Sequence, residues 1–301
     1  MVEKIEGRLR RVGACAFGVA TAGEVPPEVK ERYERWLATG QEAGMGYMHN
    51  HMDLRCDPRK LLDGCRSVIC VAFSYAVGSV RDSRLPVISE YALLPDYHDW
   101  VKRRVRESGV GELLGAENQG WRICVDSAPV TERYWAWRAG LGVIGDNGML
   151  IVPGVGSKVI LAEILTTAEL PSGNPMEGDC GHCGRCHNAC PAGALGEEGI
   201  IDCNRCLSYL SIEHKGEWED ERHLSVMHTE AGRNTLFGCD RCVSVCPHNR
   251  TDARSIETVL DAITGLRAED IERKVALPKQ SCLRRAGRKG LLRNAKNHKS
   301  K

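Results

Sequence analysis

Along the first half of the chain, short continuous apolar runs alternate with stretches whose apolar residues recur every three or four positions. That is the pattern of strands alternating with helices. Residues 13–20 and 67–75 are β-branched and aromatic runs suited to buried strands. Between them Pro26-Pro27 opens a predicted helix running to about Gly44, with Val29, Tyr33 and Leu37 on one face. Residues 121–126 predict another strand, ending in the turn Asp126-Ser127-Ala128-Pro129, and residues 132–139 a helix with Thr131 as N-cap. Gly140-Leu-Gly142-Val-Ile-Gly145 breaks that helix, and residues 149–152 and 159–166 are expected to pair as a hairpin about Pro153-Gly154-Val155-Gly156. The alternation predicts an α/β or α+β domain over residues 1–172. Ser172-Gly173-Asn174-Pro175 reads as a linker, residues 176–250 as a cysteine-bearing module and residues 251–301 as a helical, basic extension.

Composition changes this picture only a little. A chain of 301 residues, 42% of them hydrophobic, can bury a core in two or three units. Met1-Val-Glu-Lys-Ile-Glu-Gly-Arg is polar and no export leader is expected; the longest apolar stretch, 67–80, is too short to cross a bilayer. The expectation is a reducing cytoplasm and no membrane. Net charge is +1, from 41 basic and 40 acidic residues, but it is unevenly spread. Lys279, Arg284, Arg285, Arg288, Lys289, Arg293, Lys296, Lys299 and Lys301 follow one another with no acid among them. Such a tail is either a solvated terminus or a contact for phosphates. Leu283, Leu291 and Leu292 favour part of it packing as a helix.

Fifteen cysteines change the picture more. Cys180-x2-Cys183-x2-Cys186-x3-Cys190-Pro191 is the bacterial ferredoxin run, in which three thiolates hold one [4Fe–4S] cube and the fourth crosses to a second. Cys239-x2-Cys242-x3-Cys246-Pro247 repeats it without its first member, position 236 being Leu. The crossing rule gives Cys180, Cys183 and Cys186 their fourth ligand from Cys246. It gives Cys190 to Cys239 and Cys242, which need one more thiol from Cys203 or Cys206. A zinc ribbon has no use for the repeated Cys-x3-Cys-Pro ending, so iron is the better reading. Each proline is expected in the first turn of a short helix leaving its cluster. Cys15, Cys56, Cys65, Cys70, Cys124 and Cys282 lie outside this region and read as small buried hydrophobes.

Clusters pass electrons singly, so bond chemistry requires a further group in the first domain, unless the protein is only a relay. Gly140-x-Gly142-x-x-Gly145 spells a dinucleotide fingerprint, but it follows a helix and precedes a turn, the wrong context for one. Asp126, at the C-terminal end of a predicted strand, stands where α/β sheets present functional side chains. It is a general acid if burial raises its pKa, although spacing alone favours a turn or cap residue.

Several segments resemble the epoxyqueuosine reductases: Gly44-Met45-Gly46-Tyr47-Met48, Arg55-Cys56-Asp57-Pro58, Asp96-Tyr97-His98, Val125 through Arg133, Ala139 through Gly145, Cys206 through Gly216 and Cys246-Pro247-His248-Asn249-Arg250. The resemblance runs in a single order over about residues 1–295. It implies a cobalamin-binding N-terminal domain, a ferredoxin-like two-[4Fe–4S] module and the short basic extension. The implied reaction reduces epoxyqueuosine to queuosine at the wobble position of tRNA anticodons, using cob(I)alamin fed by the two clusters. A low-potential donor such as ferredoxin or flavodoxin is implied as well. Asp126 matches the family's proton donor, which must be protonated when substrate is bound. Cys206, rather than Cys203, matches the last cluster ligand. Arg55, Asp96, Asp126, Ser127, Asn147 and Ser208 match cobalamin contacts.

Some positions depart from the family's pattern. Asp146-Asn147 stands where Lys-Asn is usual, and Leu94-Pro95 precedes Asp96 where a glycine is more usual. Val101 occupies the glycine position of a DxHxxG pattern, so His98 is not read as a cobalt ligand. The resemblance is to a short form without the C-terminal helical-repeat domain of longer relatives, which puts tRNA contact on the basic tail. The competing readings are a reductive dehalogenase-like enzyme, expected to carry an export signal and a tyrosine proton donor, and a non-catalytic ferredoxin-like carrier.

Overall fold

Eight strands frame the computed structural model, which describes residues 1–250 and 252–299. They are β1 (Ala16–Thr21), β2 (Ser67–Ser74), β3 (Val87–Ile88), β4 (Trp121–Cys124), β5 (Val143–Ile144), β6 (Leu150–Ile151), β7 (Val159–Thr166) and β8 (Thr235–Phe237). The four longest form one antiparallel sheet in the order β1-β2-β7-β4. Every residue of β2 is buried because both faces of the sheet are covered, and so the strand reads as an unbroken apolar run. On one face Ile5 and Leu9 of the helix Val2–Arg11 pack with Trp100, Val101 and Val105 of the helix Tyr97–Glu107. On the other, Trp135 and Ala136 of the helix Glu132–Arg138 pack with Cys56, Leu61 and Cys65. This is the mixed α/β layering expected, and it sets Asp126 just beyond the end of β4.

Four local expectations are corrected. The helix from Pro27 stops at Ala38, where the Thr39 hydroxyl turns back onto the Arg35 and Trp36 carbonyls; Gly40 and Ala43 then take left-handed φ values of 66° and 55°. No hairpin joins residues 149–152 to 159–166. Instead β6 pairs with β5, Val152 closes a tight loop on Gly156, and β7 inserts between β2 and β4. Eight residues paired with β2, the last four of them also with β4 and the last six buried, outweigh what a two-residue partner offers. Thr131 does precede the helix Glu132–Arg138, but its hydroxyl donates to the Arg55 carbonyl rather than to its own helix. Pro191 and Pro247 begin tight turns just after the helices Arg185–Ala189 and Arg241–Ser244, ending helices instead of opening them.

The extension packs into a core of its own neighbourhood. Leu283 and Leu291 join Ile88 and Leu93 with Leu236 and Phe237 of β8, and Leu292 packs against them. Within the helix Gly287–Lys299, Arg293 is buried and donates to the carbonyls of His214, Gly216 and Leu210. Asn294 donates to the carbonyls of Ser211 and Leu236. Thr251, Lys301 and the side chain of Lys299 lie outside the described residues. Among the described residues no helix is long and apolar enough to cross a membrane.

Candidate functional site

The first cysteine run curls back on itself, because Gly181, His182 and Gly184 take left-handed φ values of 79°, 42° and 70°. Cys180, Cys183 and Cys186 line one cavity together with Cys246 of the second run, with Arg185 and His248 in its wall. These are the four cysteines that the crossing pattern groups. His248 Nε2 lies 2.9 Å from the Cys180 carbonyl and ties the two runs together. Asp146, where lysine is more usual, pairs with His182 at 2.8 Å beside this cavity.

A second group gathers behind the first. The Cys242 thiol lies within electrostatic reach of Cys239, Cys206, Cys190 and Cys186, and Cys206 within reach of Cys190. Burial, compounded by the neighbouring thiols, pushes Cys239 and Cys242 up to about 12. Thiols this crowded ionise together only around a strongly cationic core, which the iron of a [4Fe–4S] cube provides. Cys206 stands at the N-cap of the helix Leu207–Ile212, where the backbone of Ser208 and Tyr209 works to lower a thiol pKa that burial raises. Cys203 sits instead in an apolar cluster with Leu207, Leu210 and Trp218, its sulfur 3.9 Å from the Ile201 carbonyl. Asn147 is buried, borders the first cavity and donates to the Cys242 carbonyl at 3.2 Å, so it stands between the two groups. All fifteen cysteines are free thiols; Cys56, Cys65, Cys70, Cys124 and Cys282 are buried and Cys15 is half-buried.

Beyond β4 the chain turns sharply at Asp126, whose φ of 46° is a left-handed conformation uncommon for a non-glycine residue. Two elements hold it there. Glu132, the first residue of its helix, accepts the Asp126 N–H through Oε1. The helix Tyr97–Glu107, capped by Asp96, delivers Tyr97 and His98. The Tyr97 hydroxyl donates to Asp126 Oδ2 at 2.7 Å, and His98 Nε2 lies 3.0 Å from the same oxygen. His98 Nδ1 lies 2.7 Å from Asp96 Oδ1, completing an Asp96–His98–Asp126 array.

The array fixes where the proton rests. Burial works to raise Asp126, but hydrogen bonds from His98 and Tyr97 and the charge of the imidazolium prevail, leaving its carboxyl below the usual range. His98 is pushed up to about 9, chiefly by its hydrogen bonds to Asp126 and Asp96. The expected upward shift of Asp126 is thereby corrected for the ligand-free chain: the proton sits on His98, and Asp126 is an anion. Its side chain is 54% exposed, an open half that a substrate would cover, although the surrounding protein is dense enough for burial to act on its proton.

Close to Asp126 stands a group the sequence did not single out. The Tyr47 hydroxyl is under the influence of Glu213, Arg285 and Asp126. Arg285 grips Glu213 through two bonds of 2.7 Å, and its guanidinium lies 5.6 Å from the Tyr47 ring centre. Tyr47 and Glu213 both fall within segments that carry the family resemblance, so the signal was present without a role attached. Of the matched cofactor contacts, Asp96, Asp126 and Ser127 gather about the β4 turn, and the Arg55 carbonyl joins them through Thr131. Asn147 and Ser208 lie instead at the second thiol group.

Comparisons with known proteins agree with this geometry. The family model described as "4Fe-4S double cluster binding domain" matches residues 179–249, and "Epoxyqueuosine reductase QueG, DUF1730" matches residues 55–127. A curated epoxyqueuosine reductase of Gloeobacter violaceus is 36% identical, over 98% of this chain and 94% of its own length. One of Synechococcus sp. (strain RCC307) is 39% identical over 74% of this chain, a match that spans 66% of that relative. A crystal structure of epoxyqueuosine reductase with a tRNA-Tyr epoxyqueuosine-modified stem loop is similar at a TM-score of 0.77 and 25% identity. That likeness covers 98% of this chain and 80% of the other.

Proposed function

This chain belongs to the epoxyqueuosine reductase family, and on that premise we propose that it reduces the epoxide of epoxyqueuosine in tRNA anticodons to queuosine, with Asp126 protonating the departing oxygen. It is an oxidoreductase, and removing an epoxide oxygen as water takes two electrons and two protons. Two [4Fe–4S] clusters and cobalamin, when bound, would supply a single-electron path and the reducing power for the reaction. Cys180, Cys183, Cys186 and Cys246 hold one cluster, and Cys190, Cys206, Cys239 and Cys242 the other. The shared cavity of the first four and the crowding of the second four support this division. By the family resemblance, Arg55, Asp96, Asp126, Ser127, Asn147 and Ser208 would hold the corrin. Both nitrogens of His98 are engaged by carboxylates, so no free imidazole is offered to cobalt there, in keeping with a corrin held by polar side chains.

The observation that carries the reading is the Asp96–His98–Asp126 array. Tyr97 and His98 both bind Oδ2, which leaves Oδ1 for the substrate oxygen. A base entering this site covers the open half of Asp126, and the added desolvation favours its protonated form. A mere electron carrier would leave the array without a task. The anticodon loop is single-stranded, so its modified base can leave the stack at low cost. Exposed Arg284, Arg288, Lys289 and Lys296 of the extension meet its phosphates, and a low-potential donor such as ferredoxin or flavodoxin feeds the clusters. Asp126→Asn in the reconstituted enzyme is expected to retain iron and cobalt while turnover of epoxyqueuosine-containing tRNA falls roughly 10²–10⁴-fold, the usual worth of general acid help. Undiminished turnover would remove Asp126 as the proton donor.

A further inference from the structure

The reaction needs an acid, yet Asp126 is an anion before substrate arrives. We propose that Glu132 is the positioning residue and proton reserve of Asp126, a role that rests on Asp126 being the donor. Its carboxyl holds the catalytic turn by the Asp126 N–H, and it carries the proton that Asp126 lacks, giving it up as substrate closes the site.

Asp126 keeps its left-handed conformation with its N–H bonded to Glu132 Oε1, six residues on. Behind Glu132 lies Glu163, in the middle of β7, opposite Cys70 of β2 and Cys124 of β4. Glu163 is fully buried, and neither of its carboxyl oxygens has a hydrogen-bond partner among the described residues. A charge so placed would be very costly, and burial, with the Asp126 charge adding to it, holds Glu163 well above the carboxylate range, as a neutral acid. The Cys70 and Cys124 thiols beside it are likewise raised by burial and stay neutral. Glu132 is therefore faced on the sheet side by uncharged groups. Its charged neighbours are Asp126, Arg133 and His98.

That environment decides the occupancy. Burial, with the Asp126 charge adding to it, pushes Glu132 above the usual carboxylate range against the hydrogen bond from Asp126 and the charges of Arg133 and His98. Near neutral pH the two carboxyls hold one proton, and in the ligand-free chain it is on Glu132. The exchange is balanced: Glu132 carboxylic acid and Asp126 carboxylate become Glu132 carboxylate and Asp126 carboxylic acid, with no electron transferred. Asp126 then protonates the departing oxygen. Each half favours the other, since a neutral Asp126 no longer raises Glu132 and an anionic Glu132 both raises Asp126 and binds its N–H more strongly. The imidazolium of His98 remains as the source of the second proton.

The test uses the full chain loaded with both clusters and cobalamin. Infrared titration of protonated carboxyl groups is read beside the pH profile of turnover on an epoxyqueuosine-containing anticodon stem loop. In the wild type, one carboxyl should ionise well above the usual carboxylate range. Glu132→Gln keeps an acceptor for the Asp126 N–H; it should lose that ionisation and about tenfold or more in kcat, with KM within about twofold. Asp126→Asn should move the ionisation to lower pH, and Glu163→Gln should leave it in place. The proposal is overturned if E132Q keeps the ionisation or wild-type turnover, or if E163Q abolishes it. Should E132Q not fold, the shift in D126N decides alone, an unmoved ionisation counting against Glu132. Full turnover by D126N would instead sink the underlying reading of Asp126, whereas an inactive D126N beside an unaffected E132Q sinks only the reserve.

Discussion

His98 stands between two carboxylates, which hold its ring in the protonated form. Its pKa of about 9 lies above the ordinary 6.5, so the folded chain gains stability that is complete below pH 6.5 and lost as pH rises through 9. The unscreened linkage value of such a shift is about 3 kcal/mol. With Asp126 54% exposed, solvent screening reduces this to about 1 kcal/mol. His98→Gln should therefore be less stable than wild type by about that amount at pH 6 and equal to it near pH 10, as read by urea unfolding. An equal deficit at both values would show that the ring only packs. Asp126 was legible in the sequence as a carboxylate at a strand end. Its ionisation was not, because His98, 28 positions away, arrives from another helix. Glu163 did leave a mark, a lone acid inside the otherwise uncharged run of β7, but only the register set it beside Cys124, at the end of the strand that leads into Asp126.

The helix Gly287–Lys299 has two faces with two kinds of work. Leu291, Arg293 and Asn294 face the core and are spent on apolar packing and on backbone carbonyls, whereas Arg288, Lys289 and Lys296 are exposed. Removing the chain from Lys279 onward would strip Leu283 and Leu291 from their core, so lost tRNA binding after truncation would report unfolding. Replacing Arg288, Lys289 and Lys296 with Ala together should weaken tRNA binding and lower the salt slope of the association constant by roughly 0.7–0.9 per lost phosphate contact, with little change in Tm. An unchanged slope would turn the tRNA to another face. Arg293→Ala should instead lower stability by about 2–4 kcal/mol, because it leaves buried carbonyls unpaired. This helix could be read from its leucines, and β2 from its unbroken apolar run. The partners of β7 could not be read, since pairing with strands so distant along the chain leaves no local trace and the nearby turn at Gly154 invited a hairpin.

At the scale of the whole molecule, crossed cysteines join what the sequence presents as consecutive segments. Cys246 comes from the second run yet lines the cavity of the first, and Cys186 of the first run lies within reach of Cys242 in the second. Asn147, from the turn after β5, borders one group and bonds the backbone of the other, so the N-terminal domain forms part of the cluster wall. Tail and module likewise share a core with Ile88 and Leu93 of the first domain. Loss of one ligand should then act across the sequence rather than along it. Cys246→Ser should deplete the cluster of Cys180, Cys183 and Cys186, and Cys190→Ser that of Cys206, Cys239 and Cys242. Each variant should retain about half the iron and the paramagnetic signature of the other cluster. Cys203→Ser, in its apolar cluster, should keep all the iron. If Cys246→Ser instead lost the cluster of its own run and kept the first, ligation would follow the order of the chain, and the structural coupling between the two runs would carry no electronic meaning.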